Sequence, residues 1–438
     1  MKAFFIFLLN LLSIVCFAQT DPKLQARLNQ QAKDIEPKLI EWRRNFHEHP
    51  ELSNQETKTG KLIADYLKSL GMEVQYPVAK TGVVGILKGG KPGSVIALRA
   101  DMDGLPVNER NALPFASKEK SILGGVETGV MHACGHDGHM SMLMGVAEIL
   151  SKNKNDLKGT IKFIFQPAEE GLPPGEEGGA YLMIKEGVLE NPKVEVIFGL
   201  HIQALLPLGQ LAYRSEGLMA AVDGVNITVT GVGAHGATPW DSVDPIVVSS
   251  QIINGLQTIV SRQTELTKAA AVITIGSVHG GIRRNIIPEE VKMEGTIRTF
   301  DPEMQKKVHE KIKLTATKIA EASGATANVE IQIMYPVTYN DPKLTDLMAP
   351  SLARAVGIEN VKITPPVTMA EDFSFFQQKV PGFFFFLGAY PAEMKLTKRP
   401  VHHTADFMID EGSFVTGVKA LTTLTLDYMY QSKNIPQK

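Results

Sequence analysis

Apolar positions along the chain follow two alternating periods. Leu39, Ile40, Trp42, Arg43 and Phe46 lie in an amphipathic helical run, and Lys61 to Leu70 continues that pattern until Gly71 stops it. Short apolar runs then predict strands at Gly82 to Leu87, Ser94 to Ala100, Thr160 to Phe165 and Val194 to Leu200. Helical patterns separate them at Met140 to Leu150 and around Ala180 to Glu186. Strands alternating with helices in this way predict an α/β fold with a largely parallel sheet.

The pattern changes near Val222. Val225 to Thr230 alternates as a strand, Pro245 to Arg262 reads as a long helix, and Ala270 to Val278 and Val291 to Arg298 read as strands. A helix over Pro302 to Ala322 and a strand over Ala327 to Ile333 complete a β-α-β-β-α-β order, the ferredoxin-like arrangement. Residues 222–336 are therefore expected to form an inserted satellite domain within an α/β domain made of 19–221 and 337–438. In the second part of that domain, Phe383 to Leu387 reads as a buried strand and Phe414 to Tyr430 as the last helix.

Composition narrows the class of molecule. Of 438 residues, 44% are hydrophobic and 21% charged, as in ordinary globular proteins and unlike disordered or fibrous chains. The formal charge of −2 leaves no basic excess, so nucleic-acid binding is not expected as the main function. Residues 1–18 read as a secretory signal peptide: Lys2 is followed by an apolar stretch from Ala3 to Phe17, and Cys16-Phe17-Ala18 provides a cleavage site before Gln19. The stretch is shorter than the roughly 20 residues of a membrane span. Bulky Val15 argues against a lipid on Cys16. An exported protein, periplasmic or secreted, is expected. Its mature form keeps Cys134 of the two cysteines and so has no internal disulfide.

Polar residues that can bind metals follow several of the predicted strands. Val95–Leu98 runs into Arg99, Asp101 and Asp103; Ile161–Phe165 into Gln166, Glu169 and Glu170; Val196–Leu200 into His201. Ligands of an open parallel sheet bind outside the carboxyl ends of its strands. The densest segment is Met131-His132-Ala133-Cys134-Gly135-His136-Asp137-Gly138-His139, where a thiolate and an imidazole two residues apart on a glycine-bearing turn can face one metal centre. Of the adjacent carboxylates Glu169 and Glu170, one can ligate while the other accepts a proton from water. Either His402 or His403 can close the site from a distance, and Glu371-Asp372 can orient ligating imidazoles. In the satellite block, His235 lies in the loop Gly231–Ala237, Asn285 precedes Ile286-Ile287-Pro288, and Arg298 ends a strand. These three can polarise a carbonyl and bind a carboxylate.

Taken in order, Arg99–Pro106, His132–Asp137, Gln166–Glu170, Gly199–His201, the His235 loop, Asn285–Pro288, Gly295–Arg298, Glu371–Phe373 and His403 resemble the aminoacylase and carboxypeptidase-type metallopeptidase family. Within it, the chain is similar to the N-acyl-amino-acid amidohydrolase branch, with its hippurate hydrolases and indoleacetyl-amino-acid hydrolases. The resemblance spans essentially the whole mature chain. It implies a catalytic domain holding two divalent ions, zinc or manganese with cobalt as an alternative, and a satellite domain that often forms a homodimer. It implies Cys134, His136, Glu170, His201 and His403 as ligands and Glu169 as general base. His403 is preferred over His402 because the family motif places a Phe four residues and an acidic residue eight residues after the ligand, as Phe407 and Glu411 do. Asp101 stands where other members carry a metal-binding His, and is a doubtful ligand here because Cys134 replaces that His. His235 is implied to reach the scissile carbonyl, with Asn285 and Arg298 holding the substrate carboxylate. Arg283 and Arg284 are an addition before Asn285 with no assigned role.

The implied activity is metal-dependent hydrolysis of N-acyl amino acids to an acid and a free amino acid. The alternatives are a metallocarboxypeptidase or dipeptidase acting on short peptides and, from another class, an inactive binding protein on the same fold.

Overall fold

A computed structural model of the chain describes residues 21–173, 175–390 and 401–431. The expected signal segment, Cys16 included, lies outside the described residues. Helices Pro22–Asp34, Glu36–Glu48 and Thr57–Ser69 come first. They lead into an eight-stranded sheet ordered Glu73–Val78, Gly82–Lys88, Lys158–Gln166, Lys91–Asp101, Val196–Pro207, Gly382–Tyr390, Leu211–Tyr213 and Val361–Ile363. Its centre, from Lys158–Gln166 to Gly382–Tyr390, is parallel, as the alternation of strands and helices predicts. The first two strands join antiparallel at one edge, and Leu211–Tyr213 runs antiparallel to Gly382–Tyr390 near the other.

Both faces of this sheet are covered, so its central strands are apolar without alternation. Phe383, Phe385 and Leu387 pack with Leu143, Leu421 and Leu424 of helices His136–Lys152 and Phe414–Gln431. Phe384 and Phe386, turned to the other face, pack with Ala180, Met183, Phe373 and Phe376 of helices Gly179–Lys185 and Phe373–Gln377.

The central block forms a second, antiparallel sheet. Its order is Ala271–Gly280, Glu290–Thr299, Ala221–Thr230 and Thr326–Tyr335, with helices Pro245–Gln263 and Pro302–Ala322 on one face. That is the ferredoxin-like order expected for βαββαβ. Both helices start at Asp-Pro. The Asp244 and Asp301 side chains accept the Ile246 and Met304 amides at 2.9 and 2.8 Å, and proline at the first helical position has no amide to satisfy. Val225, Ile227 and Val229 point to these helices and form a core separate from that of the larger sheet. No helix among the described residues is long and apolar enough to cross a membrane.

The sequence pattern misses the short antiparallel pieces: the hairpin Lys120–Leu123/Val126–Gly129 and the pair Glu216–Met219/Thr338–Asn340. Each is too short for alternation to register. Helix His136–Lys152 also begins four residues before the expected Met140, which matters for the site.

Candidate metal centre

The register of the parallel strands brings the polar residues to one level. Asp101 pairs with Gln166, and Arg99 with Gly199, two residues before His201. The Cys134 turn meets them there. Gly135 adopts φ 99°, a left-handed conformation that glycine reaches without steric cost. The chain reverses at that point, and His136 becomes the first residue of its helix.

Among the described residues five groups of potential ligand atoms result, three of them drawn from Asp101, His136, His139, Glu169, Glu170, Glu371 and Asp372, and the other two share Cys134. One of these two contains Cys134, His136 and His201, the other Cys134, Glu170 and His403. Cys134 Sγ lies 3.4 Å from His201 Nε2 and 3.3 Å from His403 Nε2, and His403 Nε2 lies 3.2 Å from Glu170 Oε2. His136 Nδ1 sits 2.9 Å from the Asp103 carbonyl and His201 Nδ1 sits 2.6 Å from the Ile202 carbonyl. Such contacts place the ring proton on Nδ1 and turn the Nε2 lone pair inward, the usual support of a ligating imidazole. His402 is engaged differently. Its Nε2 accepts the Ala204 amide at 3.1 Å, its Nδ1 lies 3.7 Å from Cys134 Sγ, and burial lowers its pKa to about 3. His403, held by its amide to the Ala133 carbonyl at 2.9 Å, is the member of the pair that faces Glu170.

Around this cluster stands a buried charged frame. Arg99 reaches Gln166 Oε1 at 2.8 Å, Asp101 Oδ2 at 2.6 Å, and Glu371 and Asp372 at 2.9 Å each. Asp101 also binds His139 Nδ1 at 2.6 Å, and Asp103 Oδ2 accepts the Ser53 hydroxyl at 2.6 Å and the Glu170 amide at 2.9 Å. Both Asp101 oxygens therefore have partners in the frame, and its Oδ2 is 3.6 Å from His136 Nε2. Burial, then Glu371, Glu170 and Asp372, push the Glu169 carboxyl well above the ordinary carboxylate range. Burial works against the charged form of His136, yet Asp101, Asp103 and Glu170 raise it to about 10. Burial and the carboxylates of Glu170, Glu169 and Asp101 push the Cys134 thiol up.

The donor set fits a divalent cation. His136 Nε2 and Glu170 Oε1 are buried and have no hydrogen-bond partner. Leaving such atoms unpaired is costly, and a cation among sulfur, imidazole and carboxylate donors satisfies them together. His132 belongs to none of the ligand groups. Both its nitrogens are buried without partners, and burial lowers its pKa to about 4.

The satellite residues stand apart. His235 is exposed and joins none of the ligand groups. Its Nδ1 accepts the Ala237 amide at 3.1 Å, so its proton is on Nε2. It pairs with Ile286 on a two-stranded ribbon, and the Asn285 carbonyl accepts the Gly236 amide at 3.0 Å. Arg298 is partly buried and donates to the Thr368 carbonyl at 3.4 Å, while Arg283 and Arg284 lie exposed in the loop before Asn285. Sequence reasoning missed Ser53, Glu56 and Tyr335, and gave His139 of the dense segment no role of its own. It also missed the bridging role of Arg99, for which one signal existed: an arginine inside an apolar strand requires buried partners.

Residues 97–427 match the family model described as Peptidase family M20/M25/M40. The chain is 42% identical over 407 residues to thermostable carboxypeptidase 2 of Saccharolobus solfataricus, covering 92% of this chain and 99% of that one. It is 40% identical over 380 residues to N-acetylcysteine deacetylase of Bacillus subtilis, covering 86% and 93%. The crystal structure of Bacillus subtilis YxeP, a dinuclear metal-binding peptidase, superposes with a TM-score of 0.75 at 35% identity, over 91% of this chain and 99% of that one.

Proposed function

The chain belongs to Peptidase family M20/M25/M40, a family of metal-dependent amidohydrolases and peptidases, and from that premise we propose that it hydrolyses N-acyl amino acids to a carboxylic acid and a free amino acid. The observation that carries this reading is the position of buried Glu169 beside the two ligand groups that share Cys134. Cys134, His136, Glu170, His201 and His403 would hold two divalent ions, for which this donor set suits zinc, manganese or cobalt. When bound, such ions supply Lewis acidity toward the scissile carbonyl and make water more acidic. Glu169 takes the proton from the attacking water and returns it to the departing amine. With Glu170 engaged by a cation, one of the charges that oppose ionisation of Glu169, beside burial, Glu371 and Asp372, would be offset.

His235 donates from Nε2 to the developing oxyanion, and Asn285 and Arg298 hold the substrate carboxylate. His235 and Asn285 lie on the satellite ribbon, outside the ligand groups, so they enter the site on domain closure or from a second copy of the chain. The satellite exposes Val232, Trp240, Ile246 and Val247 near His235 in sequence, an apolar set that supports a homodimer. Light scattering should give twice the chain mass, and a monomer at every concentration rules this out. His235→Ala should lower kcat by about 10²–10³ with metal content intact, the usual loss for one oxyanion donor. Unchanged kcat on the best acyl substrate removes that role.

The reading extends to location. The mature protein begins at Gln19 and is exported, on the strength of Lys2, the short apolar stretch and Ala18. Intact mass of the exported protein checks it; a retained Met1 or a lipid on Cys16 contradicts it.

One observation favours a second reading, peptide hydrolysis: the 42% identity to a carboxypeptidase. A panel of N-acetyl, N-benzoyl and dipeptide substrates, with and without chelator, separates the two. Amine release from the acylated substrates, abolished by chelator, is expected. Preference for dipeptides by kcat/KM moves the assignment to a peptidase, and no release from any substrate in metal-loaded protein leaves only a binding protein.

A further inference from the structure

The backbone turn that carries Glu169 and Glu170 is held from outside the ligand cluster. Ala168 is buried at φ 54°, a left-handed conformation that a residue with a Cβ keeps only where its surroundings enforce it. Its amide donates to Glu56 Oε1 at 2.8 Å, and Glu56 Oε2 accepts the Thr81 hydroxyl at 2.6 Å. Glu56 is fully buried, and among the described residues no lysine or arginine pairs with it. Its own position is held by the segment around it. It immediately precedes helix Thr57–Ser69, whose first turn donates to Glu51 through the Thr59 amide at 2.9 Å. Gly60 of that helix lies so close to Thr81 that an added Cβ would sit 2.3 Å from the Thr81 carbonyl oxygen. Two residues beyond Ala168, the Glu170 amide is held by Asp103, itself bound by Ser53. Residues 51–59 therefore grip the turn on both sides of Glu169.

We propose that Glu56 is a positioning residue: by accepting the Ala168 amide it holds the left-handed turn that directs Glu169 and Glu170 to the ligand cluster. This rests on the reading of Glu169 as base and Glu170 as ligand. Burial and Asp103 push the Glu56 carboxyl up to about 8, so a carboxyl here is costly to keep charged; its Oε1 is used on Ala168, a strained residue next to the reacting groups, and its Oε2 on Thr81. A contact that orients a ligand from behind typically changes metal affinity or activity by about 10–100-fold.

The test uses the full chain and two readouts: zinc affinity against a competing chelator, and kcat and KM on the best acylated substrate. Glu56→Met keeps the side-chain length but accepts nothing, and should lower zinc affinity and kcat each by about 10–100-fold while KM changes little. Glu56→Gln retains an acceptor oxygen and should stay near the native values. Ala168→Gly in the Glu56→Met background should restore most of both losses, because glycine takes the left-handed turn without support. Its Tm should stay low, because the Thr81 contact is still missing. Glu56→Asp, too short to reach Ala168, carries the same comparison if Glu56→Met does not fold. Native zinc affinity and kcat in Glu56→Met, or a double variant no better than the single one, overturns the proposal. A native protein that binds zinc but releases no amine removes the hydrolytic reading and leaves the zinc comparison to decide the role of Glu56.

Discussion

Glu169→Gln is expected to keep its metal and lose about 10²–10⁴ in kcat, the usual range for removing a general base. The amide preserves size and the acceptor for the Asp372 amide, which now lies 3.3 Å from Glu169 Oε1, but it cannot take a proton. Glu170→Gln should behave differently. Glu170 Oε2 meets His403 Nε2 at 3.2 Å, and its buried Oε1 has no hydrogen bond, only His136 Nε2 at 3.7 Å. The neutral amide is a poorer ligand there, so metal affinity falls first and activity follows. Added metal should restore part of the activity of Glu170→Gln and none of that of Glu169→Gln. Metal stoichiometry after dialysis and kcat at saturating metal are the two measurements. Loss of metal from Glu169→Gln with retention in Glu170→Gln reverses the assignment, and full activity in both removes hydrolysis at this site.

Cys134→Ala should empty or weaken at least one metal position and abolish most activity. Cys134 is the one residue common to both three-residue groups that also contain His201 or His403. Without a cation its thiol is held protonated by burial and by Glu170, Glu169 and Asp101. A bound cation reverses that balance, since the thiolate is the ligand. Elemental analysis of the purified variant decides it. Full metal loading and native turnover in Cys134→Ala would return this residue to the class of ordinary buried cysteines.

The two expectations differ in how they are reached. The chemistry at Cys134 is visible in the chain because its neighbours in sequence are also its neighbours in space: His136 is two residues away, on the same turn. The support of Glu169 is not visible, because Glu56, Tyr335 and Asp372 approach it from separate segments. The Tyr335 hydroxyl donates to the Glu169 carbonyl at 2.7 Å across 166 residues. No local pattern encodes such a contact. Likewise, Glu371 and Asp372 are adjacent acids in sequence, and only the packing of the turn before helix Phe373–Gln377 against Arg99, which also holds Asp101, explains why they are buried.

By itself, the sequence determined the fold class, the ferredoxin-like order of the central block, and the set of residue types able to hold metal. The physical reason is that hydrophobic periodicity and short motifs act over a few residues, within one turn of helix or one strand. Only the tertiary structure decided which donors meet. It turned His403 to Glu170 while the Ala204 amide took His402 Nε2, and it tied Asp101 to Arg99 and His139. It also left His235 exposed on the satellite ribbon, outside the ligand groups. Those outcomes depend on strand register and on the competition of each buried polar atom for a partner, which are set only when distant segments pack together.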